Sequence, residues 1–428
     1  MTERPIDTLT FEQVRAHLLA RDEIALIDVR EEHPYAQAHP LWAANLPLAR
    51  IEADARRRIP RSDTLIVLYG ADDGADHSGT RDLAPLAARA FGALGYTQVH
   101  LLQGGLDGWR DAGGELFRDV NVPSKSFGEL VEHERHTPSL SAQEVKALID
   151  AEADVVVLDA RRFDEYQTMS IPTATSVPGA ELVLRVRELA PDPATRVIVN
   201  CSGRTRSIIG TQSLVNAGIP NPVAALRNGT IGWKLAGQVL DQGAQKRAPV
   251  AFSDAHRARA RADAKRVAES AGVRWISLDA IETLEAPNRT LYRFDARTPE
   301  EYAAAHLPGF ASAPGGQLVQ ETDHHVPVRG ARIVLADDDG VRAPMTASWL
   351  AQMGWEVSVV DAPTAEAFSE IGPPFDPAAA RPAPNPHRYR RPYEGTDAPA
   401  EAMQAYLDWE YGLVAQLARD GTHHFTVI

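Results

Sequence analysis

Residues 157–161 read Val-Leu-Asp-Ala-Arg, an apolar run that ends in an Asp-x-Arg motif. The same pattern occurs at residues 26–30 (Leu-Ile-Asp-Val-Arg) and at residues 292–297 (Tyr-Arg-Phe-Asp-Ala-Arg). Each copy continues with a glutamate, a tyrosine and a proline-bearing turn. A second apolar run then follows in every copy, at residues 65–68, 197–199 and 333–335. The chain therefore contains three copies of one structural unit.

The spacing between motifs supports this alignment. Asp159 lies 42 residues before Cys201, and Asp295 lies 42 residues before Asp337. The same step from the aspartate of the first copy reaches Gly70. Three copies with the same internal spacing indicate three domains of the same fold.

A Gly-x-x-Gly-Trp element closes the first two copies, at residues 105–109 and 229–233, and the third copy lacks it. We expect its tryptophans, Trp109 and Trp233, to pack within their domains. From the aspartate of the Asp-x-Arg motif to this tryptophan is 81 residues in the first copy and 74 in the second. The first copy thus has about seven extra residues, which the polar, glycine-rich stretch at residues 70–79 accommodates as a loop.

Short apolar runs alternate with helical stretches in each copy, for example at residues 141–149. Strands that alternate with helices indicate a mostly parallel sheet with helices on both faces. The predicted fold class is therefore α/β, with three tandem domains and a C-terminal extension. Asp159 and Arg161, at one strand end, are interpreted as a salt bridge that orders the following turn. The predicted bounds of the four parts are 1–120, 132–248, 272–372 and 373–428.

Composition suggests how these parts are joined. Residues 119–137 have the polar composition of a connection, and residues 253–270 that of a solvated helix rich in Ala and Arg. After about residue 372 the chain is rich in proline, which favours an extended segment. An amphipathic helix near residues 398–419 follows, and we expect its apolar stripe to pack against the body of the protein. This stripe comprises Met403, Tyr406, Leu407, Trp409 and Leu413.

The composition excludes several classes of protein. The 428 residues are 44% apolar and 24% charged, as in ordinary globular proteins. A net charge of −14 argues against a general nucleic-acid binder, which needs a basic face. No long apolar run predicts a membrane span, and the N-terminus has no secretory signal, so we expect a cytoplasmic protein. Cys201 is the one cysteine, which excludes an intrachain disulfide and a cysteine-based metal site within one chain.

Cys201 directly follows the predicted strand at residues 197–200 and precedes a helical run that includes Ile208. Such a transition directs loop N–H groups and the positive end of a helix dipole to one point. Arg204 and Arg206 add positive charge there. We therefore predict a lowered pKa for the Cys201 thiol and a ligand site at the carboxyl end of this strand.

These features resemble a known family, the rhodanese-like sulfurtransferases, over nearly all of residues 1–372. The resemblance rests on the order and spacing of the Asp-x-Arg strand ends, the proline turns such as residues 306–309, the Cys201 loop and the Gly-x-x-Gly-Trp element. It implies a cysteine that accepts sulfane sulfur as a persulfide and passes it to a thiophilic acceptor, while loop N–H groups stabilise the terminal sulfur. The predicted site is catalytic Cys201 with a substrate-binding loop of Ser202, Gly203, Arg204, Thr205 and Arg206, and no metal.

Within the family that this chain resembles, the length of the cysteine loop distinguishes sulfurtransferases from the related phosphatases. Arg206 lies five residues after Cys201, as in the sulfur-transferring members, whereas the related phosphatases use a longer Cys-x5-Arg loop. Ser207 stands where that arginine would be, which disfavours a phosphatase. Two departures from the family pattern leave donor preference open: Met169-Ser170 replaces Gly-His, and the loop glycine is Gly203.

The outer copies lack the nucleophile. Gly70 and Asp337 stand at its positions, so we expect structural or regulatory roles for the outer domains. The acidic run Asp337–Asp339 is predicted to form a solvated loop and not a metal site. The histidine pairs at residues 324–325 and 423–424 are likewise interpreted as surface residues.

The predicted function is a sulfurtransferase in which only the middle domain is catalytic. The Cys201 thiolate attacks the outer sulfur of thiosulfate or of a low-molecular-weight persulfide, and the covalent intermediate predicts ping-pong kinetics. The expected partners are a small-molecule sulfur donor and a thiol or cyanide acceptor, with no cofactor, nucleic acid or membrane. Two alternatives stay open: a non-catalytic sulfur carrier or scaffold, and a redox-sensing thiol protein.

Overall fold

The computed structural model contains three parallel sheets of five strands each. It describes residues 6–71, 82–249, 251, 253–285, 289–375 and 388–428. Strands β1–β5 are Thr8–Leu9, Ala25–Asp28, Ala43–Asn45, Ile66–Tyr69 and Val99–Leu102. Strands β6–β10 are Ser139–Leu140, Val155–Asp159, Thr175–Ser176, Arg196–Asn200 and Val223–Leu226. Strands β11–β15 are Arg274–Ile276, Leu291–Asp295, Ala311–Ser312, Arg332–Ala336 and Glu356–Val360.

Helices connect the strands and link the three sheets. In the first domain α1–α5 are Phe11–Ala20, Glu32–Gln37, Ile51–Arg58, Ala84–Ala93 and Gly105–Asp111, and α6 is Val122–Arg135. In the second domain α7–α11 are Ala142–Asp150, Phe163–Thr168, Leu182–Leu189, Thr205–Asn216 and Gly229–Leu235, and α12 is Asp254–Ser270. In the third domain α13–α17 are Ile281–Leu284, Pro299–Ala304, Gly315–Gln320, Thr322–His325 and Arg342–Gln352. Two further helices, α18 (Ala400–Tyr411) and α19 (Leu413–Asp420), follow.

All three sheets have one topology. The strand orders are β1-β5-β4-β2-β3, β6-β10-β9-β7-β8 and β11-β15-β14-β12-β13, with the paired strands parallel. Strands β2 and β4 are buried along their whole length, as expected where helices cover both faces of a parallel sheet. The α/β prediction with three repeated domains is confirmed. The loop that accommodates the extra residues of the first copy falls mostly within residues 72–81, and most of the proline-rich segment within residues 376–387, outside the described residues.

Each domain repeats the same ion pair at the end of its second strand. Arg30, Arg161 and Arg297 each donate to both carboxylate oxygens of the aspartate two residues before. One guanidinium nitrogen also donates to a backbone oxygen eight residues later. This arrangement closes the turn after the strand and confirms the salt-bridge interpretation. Trp109 and Trp233 are buried in their own domains, as predicted.

The connection at residues 119–137 is not the polar joint that its composition indicated. Helix α6 is mostly buried and packs against α10, α18 and α19. Its Lys125 is 1% exposed and donates to Asp119 at 2.6 Å. The polar composition suggested a solvated segment because the sequence does not distinguish a lysine that is buried with a carboxylate partner from a lysine in water.

Helix α12 forms where the Ala- and Arg-rich stretch predicts a helix, and Ser253 caps it by accepting the N–H of His256. One face of it is buried, however, and packs against α9 and α17. The buried residues are Ala260, Ala264, Val267 and Ala268. The helix therefore joins the second and third domains by packing, and it is solvated on its other face alone.

The C-terminal extension packs against the body, as predicted. It forms two helices in place of the one predicted, because the helix is interrupted at Gly412, between α18 and α19. Met403, Tyr406 and Leu407 pack against Ile231 of the second domain. Among the described residues, no helix is long and apolar enough to cross a membrane.

Candidate active site at Cys201

Cys201 lies at the carboxyl end of β9, and α10 begins at Thr205. Its thiol donates to the Ser207 hydroxyl at 3.4 Å, and that hydroxyl donates to the backbone oxygen of Arg204 at 2.8 Å. The cysteine is 2% exposed. The chain therefore has the predicted strand–loop–helix transition, with the sulfur beneath the surface.

The pKa of the Cys201 thiol is raised, and the expected lowering does not occur. Burial is the main cause, and the nearby Glu410 carboxylate acts in the same direction. The Arg206 guanidinium and hydrogen bonds from Ser207 lower the pKa, but they do not compensate for the lost water. The sequence-based expectation considered the loop and its arginines, and it could not include a helix that covers them.

Helix α11 holds the cysteine loop from one side. The N–H groups of Thr230 and Ile231 donate to the backbone oxygens of Cys201 and Ser202 at 2.9 and 3.0 Å. Gly229, with a φ of 53°, permits this approach, because a Cβ there would lie 2.3 Å from the Cys201 oxygen. The first glycine of this Gly-x-x-Gly-Trp element thus lets the helix reach the loop.

Arg206 forms a two-point ion pair with Glu165, at 2.7 and 2.8 Å. Burial disfavours the Glu165 carboxylate, yet Arg206 outweighs this and lowers the pKa of Glu165 to about 2. The guanidinium also acts on the Cys201 sulfur. Arg206 is therefore held in place by a carboxylate beside the candidate nucleophile.

Arg204 faces a different partner from the one expected. Its guanidinium donates to Glu129 on α6 at 2.7 and 2.9 Å, and it also pairs with Glu132. The ring of Tyr411 stacks over it at 4.0 Å. The expected attraction of an anionic donor does not fit this placement, because carboxylates already neutralise the guanidinium. Arg204 instead anchors the loop to α6 and α18.

Helix α18 covers the loop. A Cβ on Gly203 would lie 3.1 Å from both Tyr406 Cε1 and Glu410 Oε2, so the glycine permits the close approach of α18. Glu410 is buried, and its Oε1 atom accepts a hydrogen bond from the Tyr406 hydroxyl at 2.7 Å. Burial and the neighbouring Glu129 raise the pKa of Glu410 to about 8.

The sequence reasoning missed Glu129, Tyr406 and Glu410 as residues of this site. Glu129 is 75 positions from Arg204, and α18 lies about two hundred residues after the cysteine. No local pattern connects segments so far apart. The glycine at position 203 was a visible but unspecific signal.

In the corresponding loop of the third domain, the side chain of Asp337 accepts hydrogen bonds from the N–H groups of the loop. The Asp337 carboxylate accepts the N–H groups of Gly340, Val341 and Ala343 at 2.9, 3.0 and 2.7 Å. Asp337 is 2% exposed and Asp339 is also buried, so the prediction of a solvated acidic loop is wrong for these two residues, while Asp338 is exposed as predicted. Hydrogen bonds from the loop, which the composition does not reveal, make this burial possible.

The histidine pairs are partly at the surface. His324 is exposed, whereas His325, His423 and His424 are half-buried. His325 packs edge-on against Phe294, with ring centres 5.9 Å apart. Within the described parts of the chain, no group of three or more metal-ligating side chains is placed to hold a metal ion.

A cavity of about 750 Å³ opens beside the cysteine loop. Ser202 and Arg206 line it from the second domain, Arg58 from the first, Asp323 from the third, and Arg391 from the extension. A molecule that reaches the loop from this side would meet residues of all three domains.

The chain belongs to the family of rhodanese-like domains, whose model matches residues 10–112, 141–236 and 279–362. The crystal structure of thiosulfate sulfurtransferase from Pseudomonas aeruginosa is similar over nearly the whole length. It is 52% identical, has a TM-score of 0.93, and the alignment covers 99% of this chain and 100% of that one. This similarity supports sulfurtransferase activity for the present chain.

A second relative matches a shorter region. The HTH-type transcriptional regulator Rv0324 of Mycobacterium tuberculosis is 32% identical over 101 residues, which is 24% of this chain and 42% of the regulator. The chain thus matches less than half the length of that relative.

Proposed function

We propose that the protein transfers sulfane sulfur through a persulfide on Cys201, from thiosulfate or a low-molecular-weight persulfide to a thiophilic acceptor. The catalytic domain is the middle one, residues 132–248. The observation that carries this proposal is the position of the single cysteine, at a strand end that faces a helix start and lies beside a charged cavity. In the third domain three N–H groups of the equivalent loop converge on the side-chain carboxyl group of Asp337, which supports the same convergence of N–H groups on the sulfur in the Cys201 loop.

The first half-reaction is a displacement at sulfur. The Cys201 thiol loses its proton, and the thiolate attacks the outer sulfur of thiosulfate. The S–S bond of the donor breaks, and sulfite leaves with the electron pair. A Cys201 persulfide remains, with its negative charge on the terminal sulfur.

The second half-reaction regenerates the enzyme. Cyanide or an acceptor thiolate attacks the terminal sulfur, and the Cys201 thiolate leaves. In both steps the charge lies at the loop, where N–H groups and Arg206 stabilise it. Because the intermediate is covalent, we expect ping-pong kinetics. Double-reciprocal plots of initial rate against donor concentration, taken at several acceptor concentrations, should give parallel lines.

Intact mass after thiosulfate treatment tests the proposal. The wild type should gain one sulfur and lose it to cyanide with release of thiocyanate, while Cys201→Ser should gain none. A wild type that gains no sulfur from thiosulfate or from any low-molecular-weight persulfide would refute the transferase.

The sulfur-carrier alternative is favoured by one observation, the burial of Cys201 beneath α18. A carrier loaded by a partner would form the persulfide but turn over poorly with free thiosulfate. Steady-state turnover with excess thiosulfate and cyanide separates the two, since an enzyme completes many cycles.

A further inference from the structure

The Ser207 hydroxyl lies between two hydrogen-bond acceptors. It is in the first turn of α10 and is 1% exposed. Cys201 Sγ is 3.4 Å from its oxygen, and the backbone oxygen of Arg204 is 2.8 Å from it. A hydroxyl has one hydrogen atom, which rotates to the better acceptor. The group can therefore donate to either neighbour, but it makes one strong hydrogen bond at a time.

The better acceptor changes with the charge on the sulfur. While Cys201 is a thiol, its S–H donates to the Ser207 oxygen and the Ser207 hydroxyl donates to Arg204. A thiolate accepts only, and a hydrogen bond to an ionised group is about twice as strong as a neutral one. Because Cys201 is 2% exposed, water does not supply this bond. We therefore expect the hydroxyl to turn toward the sulfur when the thiol loses its proton.

The backbone oxygen of Arg204 does not oppose this rotation. It also accepts the N–H of Ile208 at 3.0 Å, within the first turn of α10. When the Ser207 hydroxyl turns away, the oxygen keeps this partner, and no buried acceptor is left without a hydrogen bond. The hydroxyl can therefore change its acceptor without a large loss elsewhere.

The third domain lacks this hydroxyl. Ala343 stands six residues after Asp337, as Ser207 stands six residues after Cys201. The Ala343 N–H donates to Asp337 at 2.7 Å, whereas hydrogen bonds from both the N–H and the hydroxyl of Ser207 lower the pKa of Cys201. The loop thus forms without the hydroxyl, which accompanies the thiol and is absent beside the carboxyl group.

The charged groups that face Cys201 act on it in a different way. Arg206 of α10 lowers its pKa, but Glu165 of α8 holds that guanidinium in a two-point ion pair. Glu410 of α18 raises the pKa. Both groups act across space, whereas the Ser207 hydroxyl is in hydrogen-bond contact with the sulfur.

We propose that Ser207 is a catalytic residue whose hydroxyl changes its hydrogen bond in each half-reaction. It donates to the Arg204 oxygen while Cys201 is a thiol or a persulfide, and to Cys201 Sγ while the sulfur is a thiolate. The inference rests on the proposed function, since the reaction is what makes Sγ gain and lose charge.

The first half-reaction converts the thiol and thiosulfate into a persulfide anion and hydrogensulfite. A bond forms between Sγ and the outer sulfur of the donor, and the S–S bond of the donor breaks. Sulfite leaves with the electron pair and, in the overall balance, with the thiol proton. The negative charge then lies on the outer sulfur of the persulfide, so the Ser207 hydroxyl returns to Arg204.

The second half-reaction reverses the rotation. Cyanide attacks the outer sulfur, the electron pair of the persulfide S–S bond goes to Sγ, and thiocyanate leaves. As Sγ gains its charge, the Ser207 hydroxyl turns toward it and stabilises the leaving thiolate.

Ser207→Ala tests the proposal, and Ala343 shows that the loop forms with an alanine at this place. The pKa of the Cys201 thiol should rise by at least about one unit, since the thiolate loses a charged hydrogen bond. Thiolate absorbance against pH measures this midpoint, with Cys201→Ser as the background for tyrosine ionisation. An unchanged or lower midpoint would overturn the proposal.

The pH dependence of loading separates this effect from general damage to the site. Near neutral pH the variant has about tenfold less thiolate, but each thiolate is about threefold more nucleophilic because its pKa is higher. Stopped-flow loading by thiosulfate should therefore be about threefold slower near neutral pH, and the difference should disappear above the midpoint. Slowing by one factor at every pH would contradict the proposal.

Discharge of the preloaded persulfide tests the second half-reaction. Cyanide should remove the sulfur from Ser207→Ala about threefold more slowly than from the wild type, because a more basic thiolate leaves less readily. Equal or faster discharge would refute the role of the hydroxyl in this step.

Ser348→Ala is the matched control. Ser348 of α17 is also buried, and its hydroxyl likewise donates at 2.8 Å to the backbone oxygen three residues before, that of Met345. This variant should leave the midpoint and both rates unchanged. Ser207→Thr keeps a hydroxyl and should have a midpoint close to that of the wild type. A rise in Ser348→Ala, or a rise in Ser207→Thr equal to that in Ser207→Ala, would refute the assignment.

The absorbance measurement involves no sulfur transfer, so it fails separately from the proposed function. A raised midpoint in Ser207→Ala, together with a cysteine that no donor loads, would refute the transferase and keep the hydrogen bond to the thiolate. A cysteine that thiosulfate loads, together with an unmoved midpoint, would refute the role of Ser207 and keep the transferase.

Discussion

The Cys201 loop of the middle domain and the Asp337 loop of the third domain lie at the same place in the same fold. They differ in their first side chain, which is a thiol in one loop and a carboxyl group in the other. Both follow the fourth strand of a sheet, and both place an arginine five residues later that pairs with a glutamate, Arg206 with Glu165 and Arg342 with Glu301. In the third domain a carboxylate accepts the loop N–H groups itself. The fold thus supplies the same loop of backbone N–H groups in both domains, and the residue at its start is a thiol in one and a carboxyl group in the other.

The largest expected effect comes from making the two loops alike. Cys201→Asp should gain no sulfur from any donor and should lower thiocyanate formation by at least about a thousandfold. Cys201→Ser should show the same loss without the added charge. Intact mass and a thiocyanate assay measure both variants, and sulfur uptake by either would contradict the role of this residue.

The reverse exchange tests whether the third domain lacks more than a thiol. Asp337→Cys in a Cys201→Ser background should take up sulfur at least about a hundredfold more slowly than the wild type. Arg342 pairs with Asp338 and Asp339 as well as with Glu301, so this loop offers an anionic donor less positive charge than the Cys201 loop does. Mass analysis over time measures the uptake; a rate close to that of the wild type would show that the thiol alone separates the two domains.

The two arginines should differ in function more than in stability. Arg206→Gln and Arg342→Gln each leave carboxylates without a buried partner and should each destabilise the fold by about 3 kcal/mol. Only Arg206→Gln should also slow persulfide formation per folded molecule, by about tenfold, because the thiolate loses a nearby positive charge. Stopped-flow loading, corrected for the folded fraction, separates the effects. Equal slowing in both variants would contradict this difference.

The smallest expected effect concerns the helix that covers the middle loop. With a pKa of about 8, Glu410 is mostly ionised only above that pH, and its negative charge then raises the pKa of Cys201. Glu410→Gln should therefore lower the pKa of Cys201 and increase the thiolate fraction above about pH 8. The loading rate there should rise by less than about tenfold, and the midpoint of the pH profile should move to lower pH.

Glu401→Gln, on the exposed face of the same helix, is the matched control and should leave the profile unchanged. Thiolate absorbance against pH measures the midpoint. A midpoint that moves upward in Glu410→Gln would contradict the assigned direction.

Much of the fold could be predicted because its signals are local and repeated. Apolar runs before Asp-x-Arg, separated by a constant step, indicate three parallel α/β domains without any knowledge of packing. The segment at residues 119–137 was misinterpreted because its burial comes from helices far away in the chain. The acidic run at Asp337–Asp339 was misinterpreted for a related reason, since loop N–H groups donate to Asp337 and Arg342 pairs with Asp338 and Asp339.

The candidate site could be predicted in part. The position of Cys201 and its nearness to Arg206 follow from a short stretch that joins one strand to one helix. The partners of Arg204 on α6 and the cover formed by α18 could not be predicted, because they come from distant segments.

The sequence by itself determined the repeated architecture and the single thiol at one strand end, because short-range patterns set both. The tertiary structure alone decided that this thiol is buried with a raised pKa, that Arg204 is neutralised, and that Arg58 and Asp323 line one cavity. The physical reason is that burial and electrostatic interaction depend on distance in space, and the groups that set them here are far apart in the chain.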